Sequence, residues 1–529
     1  MTNRNEGIMK EELFQKIKSL PRLRLLIILF AIWQYVCIVW IALFNLPKEF
    51  IWLNLGLLSG FIVLAPVFES LLLLTISIPF YVVLPQNNFD TLAMWRPLFI
   101  LIFLVWLVRE KKFKYKEIIF LPWDKLLGIF LLVGLGVTLL LAEFPKQGIK
   151  QVVFWLNIYI FYVTLINVLK SKQQIFEYIR YLIWSLTIIV ALGFTQLIGT
   201  FLTTLDTFWV YWASNITSLY YGKNFALVAM YSNSWFSYAG GRELRMFSIM
   251  PDSQSFAYVC MFGLCMATAL TNHVFINVRK WLWSGIRFVG LGLILSGTRA
   301  VWVGMLIPFL VVLWGYVKNF QKHLAKKFII PFVIIFIFFV ISPLINKGFS
   351  LLRVGFKENF ITRAKSIYDL NEPSNAGRIK IWKETLVFSA SHPLGAGFGN
   401  FISIFGLADN KEYEMLAGEI NERYNLPKRF VSAHNLYLQI LVEAGLVGLL
   451  VLVWYFGTII KYLWRFVKFY KKQEDFLVYF VAGALVMVLW VLGSAFFDVT
   501  LFNDKVLIYF LTYIGLAGLI AKKYHEYEG

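Results

Sequence analysis

The chain has 529 residues, of which 59% are hydrophobic, 18% aromatic and only 15% charged. A soluble chain carries about 25% charged residues and about 45–50% apolar ones, so a soluble enzyme, a secreted scaffold and a disordered protein are all excluded. The net charge of +20 reads not as a nucleic-acid surface but as a membrane protein with Lys and Arg on its cytoplasmic side.

In chain order, residues 1–24 are polar and basic, and no small-residue cleavage site follows the first apolar run. That run reads as a retained span rather than a removed signal peptide. Runs of the length needed to cross a bilayer are predicted at 25–44, 50–68, 71–84, 96–108, 123–142, 150–169 and 179–200. They continue at 249–271, 283–297, 300–317, 328–345, 435–460, 477–496 and 505–521. The expected fold is thus an all-α, polytopic membrane bundle of about 14 spans, or 12 if two of the short runs at 71–84, 96–108 and 283–297 are re-entrant or fused. Cys37, Cys260 and Cys265 all lie in apolar runs, so there is no disulfide framework.

With the N-terminus cytoplasmic, alternation places 28 of the 50 Lys and Arg in the inner segments, including 109–116, 170–180, 318–327 and 461–472. Both termini then lie inside. Residues 201–248 and 346–433 are too polar to span and fall outside. The expected organisation is an N-terminal bundle of 11 spans over 1–345, an extracytoplasmic segment over 346–433 and three C-terminal spans over 434–529. Within the segment, Ile379, Trp382 and Leu386 recur at helical spacing, which predicts an amphipathic helix over 375–390. Ser374 or Asn375 caps its start, and His392-Pro393 ends it. A turn-rich GAGFGN follows at 395–400, and 411–424 reads as a second polar helix.

Few external residues carry chemistry. Only His392 and His434 of the five histidines fall outside. No HExxH, DxD or paired-carboxylate cluster is visible, so neither a metal site nor another cofactor is expected. Arg299 sits in a tight turn between two apolar runs, in SGTRAVWVG (296–304). It is either a snorkelling interfacial arginine or a phosphate ligand, since guanidinium binds phosphate oxygens in a bidentate fork. Arg378 opens the amphipathic helix and is either part of a solvated basic face or a second anion ligand. Arg242 and Arg245 stand before the span at 249–271, as anchors or ligands. His434 begins SAHNLYLQILVEAGLVGLL (432–450), where a Ser432 cap would put it in the first helical turn. There the helix dipole favours the neutral imidazole, so His434 is either a general base or a polar interfacial residue. Glu443 lies about 13 Å deeper, at about 1.5 Å per residue, too far to orient His434 directly. It shares a face with Asn435 and Gln439 and is expected to pair with another helix.

Three stretches in this order, SGTRAVWVG (296–304), GRIKIWKETLVFSASHPLGAGFGNF (377–401) and AHNLYLQILVEAGLVGLL (433–450), resemble the bacterial O-antigen ligase and polysaccharide polymerase family. A looser match, LRMFSIMPDSQSFAYV (244–259), carries Asp252 where many members have Asn. The resemblance implies a metal-independent inverting glycosyltransferase of the inner membrane, with its site on the outer face. The donor would be an undecaprenyl-diphosphate-linked glycan, and the acceptor a hydroxyl of a glycan, a lipid or another molecule. Membrane lipids are implied as partners, and nucleic acid is not. Arg299 and Arg378 would bind the diphosphate and stabilise it as it leaves. His434 would deprotonate the acceptor, and Arg245, Asn435 and Tyr437 would line the substrate site. A lipid-linked oligosaccharide flippase or other transporter is the competing class, but it calls for polar residues at the midplane and paired halves, and neither pattern is present.

Overall fold

The structure, a computed structural model, describes residues 2–44, 46–85, 92–111, 117–230, 235–237, 243–271, 276–318, 325–333, 335–337, 367–371, 373–405, 432–470, 473 and 475–528. Among these, nine helices are long and apolar enough to cross a membrane, and the chain is an integral membrane protein. Apart from a two-residue antiparallel pair (Phe236–Ser237 with Glu243–Leu244), its regular structure is helical.

The first half comprises α1 (Thr2–Phe44), α2 (Phe50–Leu64), α3 (Val67–Ile76), α4 (Trp95–Arg109), α5 (Asp124–Leu141), α6 (Pro145–Val168) and α7 (Lys172–Leu202). Short helices α8 (Leu205–Tyr211), α9 (Ser218–Tyr221) and α10 (Lys223–Met230) follow. Next come α11 (Ser253–Leu270), α12 (Ile276–Leu295), α13 (Arg299–Gly304) and α14 (Leu306–Val317), with further helical residues at 325–333 and 335–337. The last part holds α15 (Pro373–Ser391), α16 (Phe401–Phe405), α17 (Leu436–Phe469), α18 (Phe476–Ser494) and α19 (Asp504–Glu528).

Two predicted elements differ. The run 71–84 is not one span: α3 ends at Ile76, and Pro79 joins a single 3₁₀ turn at Ile78–Phe80 before the chain becomes extended. The run 50–68 breaks at Ala65-Pro66, because proline cannot donate to the helical ladder and restricts the residue before it. The polar stretch 411–424, Arg242 and residues 338–345 lie outside the described residues.

Helices α11, α18 and α19 are almost wholly buried and form the centre, whereas α1, α5, α7 and α17 have less than half of their apolar windows buried. In water such apolar area would be a docking or aggregation surface. On a membrane protein it is the face that meets lipid. Several polar groups inside the bundle pair with one another, as unsatisfied groups in hydrocarbon cost several kcal/mol: the Tyr178 hydroxyl lies 2.6 Å from that of Thr75, and Ser185 lies 2.5 Å from the Tyr509 hydroxyl. Where α13 crosses α18, Gly304 and Gly493 let the two backbones touch. A Cβ on Gly493 would come within 2.5 Å of the Gly304 carbonyl oxygen.

Candidate active site

Arg299 is placed by a turn welded to the head of α11. Gly297 adopts φ 61°, and the Ser296 hydroxyl donates to the Leu293 carbonyl at 2.6 Å. The Thr298 hydroxyl reaches across to the Ser253 carbonyl at 3.1 Å, and Arg299 then opens α13. The Met246 N–H donates to the Leu295 carbonyl at 3.1 Å, so the segment carrying Arg245 runs beside the same turn.

Arg378 and Trp382 stand one helical turn apart on α15, hence on one face. The Trp382 indole donates to the Ala433 carbonyl at 2.9 Å, and its ring lies 6.3 Å from that of Phe497. Arg378 acts electrostatically on both His434 and Asp498. Asn375 does not cap α15. The helix starts earlier, at Pro373, a residue suited to a first turn, and the Asn375 side chain donates to the Asp369 carbonyl at 2.8 Å.

The cap of α17 is Asn435 rather than Ser432. Its side-chain oxygen accepts from the N–H groups of Tyr437 at 3.0 Å and Leu438 at 3.1 Å. Asn435 is extended and so can cap, and His434 is pushed just outside the helix with φ 46°. A left-handed conformation at a residue other than glycine costs of order 1–3 kcal/mol and persists only where its surroundings over-determine it. Burial first, and then the Arg378 charge, hold the imidazole pKa down at about 4. The ring is therefore neutral near pH 7, the form that accepts a proton.

Asp498, between α18 and α19, belongs to none of the sequence motifs. Its Oδ1 accepts from the N–H of Val499 at 2.6 Å, the N–H of Thr500 at 3.1 Å and the Thr500 hydroxyl at 2.6 Å. Its Oδ2 is buried with no hydrogen-bond partner among the described residues. Burial, and then the neighbouring charge of Asp252, push this carboxyl pKa up to about 6, against the pull of Thr500 and Arg378. Asp252 itself caps α11, accepting from Ser255 N–H at 2.6 Å. A signal for Asp498 is present in the sequence all the same. It is a charge in a short turn between two apolar runs, the pattern that marks Arg299.

A groove of about 390 Å³ is lined by Val303 of α13, Leu306 and Ile307 of α14, Trp382, Asn435, and Gly493, Phe496 and Phe497. The Tyr437 hydroxyl is committed to the Leu492 carbonyl at 2.9 Å and packs α17 on α18.

The glycine-rich loop is not a surface turn. Helix α17 breaks at Gly445 (φ 68°), and residues 393–397 fill the break. Ala396 N–H donates to Val442 O at 2.8 Å, Gly397 N–H to Glu443 O at 2.8 Å, and Leu446 N–H to Pro393 O at 2.9 Å. Phe398 inserts between α5 and α6, with its ring 4.9 Å from Trp155, and its N–H donates to the Thr138 hydroxyl at 2.9 Å. This clamp holds α15, and with it Arg378, against α17, the helix that His434 precedes. Glu443 pairs with its own helix, with this loop and, as expected, with another helix: Gln439 donates to its carboxyl at 2.7 Å, and the N–H groups of Gly399 and of Phe401, the first residue of α16, also donate to it.

The structure thus brings Trp382, one turn from Arg378, and Asn435, next to His434, to one groove with α13 and α14, while Arg245 lies beside the turn that carries Arg299 and Tyr437 is turned into the packing. Among the described residues, no three His, Cys, Asp or Glu side chains group as a metal site. The fold is that of a polytopic membrane protein, and a family match over part of the chain supports an enzyme of the O-antigen ligase or polymerase type. Residues 285–453 match the profile of the O-antigen ligase family, and the match spans Arg299, Arg378 and His434 and supports the family assignment made from the motifs. No curated protein matches the chain.

Proposed function

We propose that the protein transfers a glycan from an undecaprenyl-diphosphate carrier to an acceptor hydroxyl, without a metal and with inversion, at the outer face of the cytoplasmic membrane. The observation that carries this reading is the groove. Its walls are largely apolar, as a lipid donor demands, and they include Trp382, one turn from Arg378, Asn435, next to His434, and Val303 of the helix that Arg299 opens. Arg299 and Arg378 hold the diphosphate and neutralise the charge that grows on it as the glycosidic bond breaks. This is preorganised electrostatic stabilisation, which two arginines supply without a divalent ion. His434 accepts the proton of the attacking hydroxyl. A bound diphosphate opposes the Arg378 charge and so raises the basicity of the imidazole, which ties activation of the base to the presence of the donor.

The test is mass analysis of glycan products after reconstitution in nanodiscs with lipid-linked glycan extracted from cells lacking this chain. Products longer by repeat units identify a polymerase, and glycan joined to a different terminal acceptor identifies a ligase. Translocation without transfer refutes the proposal, as does transfer that is lost in EDTA and restored by magnesium. For sidedness, Ser391→Cys should react with a membrane-impermeant thiol reagent in intact or outer-permeabilised cells and Lys318→Cys should not. The reverse pattern would overturn it.

A further inference from the structure

We infer that Glu443 is a positioning residue for His434, acting through the side chain of Gln439 and the peptide of Ala433. The inference rests on the reading of His434 as the acceptor's base. Asn435, Gln439 and Glu443 follow one another at spacings of four and make one polar line down α17. Glu443 is 4% exposed and too far along the axis to touch the imidazole. What it does touch is specific. Its carboxylate accepts from Gln439 Nε2 at 2.7 Å and from the N–H groups of Gly399 and Phe401. With three N–H donors aimed at it the Glu443 carboxyl acts as the acceptor, so the Gln439 amide presents its nitrogen to Glu443 and its oxygen upward. That oxygen accepts from Ala433 N–H at 3.0 Å. The carbonyl of the same residue, Ala433, accepts from the Trp382 indole at 2.9 Å.

The residue just before His434 is therefore gripped on its N–H by α17 and on its carbonyl by α15. Two directed bonds at this point are what a residue with φ 46° needs to stay in the left-handed region. Polarity is essential to the line. An amide in place of the Glu443 carboxylate would have to turn its NH₂ either towards the NH₂ of Gln439 or towards the loop N–H groups. The first choice flips Gln439 and sets a donor against Ala433 N–H, and the second sets donors against Gly399 and Phe401. Exchanging the two side chains restores every donor–acceptor pair. The carboxylate, moved to position 439, would accept from Ala433 N–H and from the amide now at position 443, whose oxygen would face the loop.

The experiment uses full-length protein in nanodiscs. Undecaprenyl diphosphate is titrated for binding, and the extracted lipid-linked glycan serves for turnover. Glu443→Gln and Gln439→Leu should each lower turnover by about 10- to 100-fold, the cost of a misplaced group, while affinity for undecaprenyl diphosphate stays within about 3-fold. The exchange Glu443→Gln/Gln439→Glu should return turnover to within about 3-fold of wild type. In a His434→Ala background, neither single substitution should lower the rate further. Full turnover in both singles overturns the inference, as does binding lost in step with turnover, or a folded exchange variant that stays as slow as the singles. If Glu443→Gln does not fold, Gln439→Leu and the exchange decide the matter. His434→Ala at the wild-type rate defeats the reading of His434 itself. A slow His434→Ala beside a fast Glu443→Gln defeats only the relay.

Discussion

At one end of the bundle Arg24 meets Glu177 at 2.7 Å, Lys170 meets Glu110 at 2.8 Å and Lys172 meets Asp475 at 2.9 Å, and each cation is at least a third exposed. At the other end Asp498 is buried and Asp252 half-buried, both accept from backbone N–H groups, and His434 sits under the field of Arg378. The first arrangement sets its cations where water screens them, and although Glu177 is itself buried, the two lysine pairs are worth about 0–1 kcal/mol each. The second takes charge out of water at a cost of several kcal/mol per ion. A chain keeps such a cluster where the charges have something to bind or move. The contrast locates chemistry at one end and ordinary anchoring at the other.

The largest effects should fall on the groove. His434→Ala is expected to slow transfer by about 10²–10⁴-fold, the usual worth of a positioned base, and to leave binding of undecaprenyl diphosphate nearly intact. Arg299→Ala or Arg378→Ala should weaken that binding as well as turnover, because charge-assisted bonds to diphosphate exist before and during transfer. Lysine should rescue either position poorly, having no bidentate fork. Donor affinity and transfer rate for each variant separate the roles. Loss of binding in His434→Ala would make it a phosphate ligand instead.

A smaller but still large effect should come from the clamp that joins the halves of the site. At Gly445 an alanine would hold φ 68° and drive its Cβ into the Leu394 carbonyl. Strain plus overpacking costs about 2–4 kcal/mol. Gly445→Ala should lower the thermal midpoint and lose transfer, whereas Gly457→Ala, in open space on the same helix, should do neither.

How much of this is legible in the sequence varies by feature and for physical reasons. Hydrophobic run length is legible because lipid imposes it, so α5 and α18 fall within two residues of their predicted bounds. The helix carrying Arg378 lies within two residues of its predicted bounds and His392-Pro393 follows its end as expected, but its packed face is not the predicted one: Ile381, Thr385 and Ser389 are buried, whereas Leu386 is exposed. The cap of α17 lies three residues beyond its predicted place, since Ser432 and Asn435 are both good caps and only the conformation of His434 decides between them. The break at Gly445 and its filling by residues 393–397 are not legible, because that pairing joins segments about 50 residues apart through backbone atoms that carry no sequence signal. Asp498 carries the same sequence signal as Arg299, but its charged neighbours, Asp252 at the cap of α11 and Arg378 on α15, come from distant segments that the sequence does not bring together.

The pH dependence sharpens the contrast from within the site. With its pKa held at about 4, His434 stays unprotonated from about pH 5.5 upward, so it adds no limb between there and pH 8. Asp498, pushed up to about 6, ionises in that range. Its negative form opposes the pull of Arg378 on a diphosphate. Affinity for undecaprenyl diphosphate should therefore rise by about 3- to 10-fold as pH falls through 6. Asp498→Asn should show the tighter binding throughout. The difference between wild type and this variant removes any titration of the lipid itself, and identical profiles would dismiss Asp498 from the site.

The smallest effect belongs to the opposite end. The Lys170 side chain is 62% exposed, and its ammonium contacts both oxygens of Glu110 at 2.9 and 2.8 Å. Geometry this good still gains little in water, because two flexible side chains must be fixed and salt screens the attraction. Lys170→Ala, Glu110→Gln and the double variant should each change stability by less than about 1 kcal/mol. Their cycle should give a coupling of a few tenths of a kcal/mol, and transfer should be unchanged. Asp475→Ala should cost more, because that carboxylate also caps α18 at Leu477 N–H (3.1 Å) and accepts from the Tyr524 hydroxyl at 3.2 Å. The order to be measured by thermal unfolding in detergent is thus Asp475→Ala above Lys170→Ala, with transfer flat across both. If Lys170→Ala slowed transfer as much as a substitution in the groove, charge at this end would be serving the reaction, and the division between an anchoring end and a chemical end would fail.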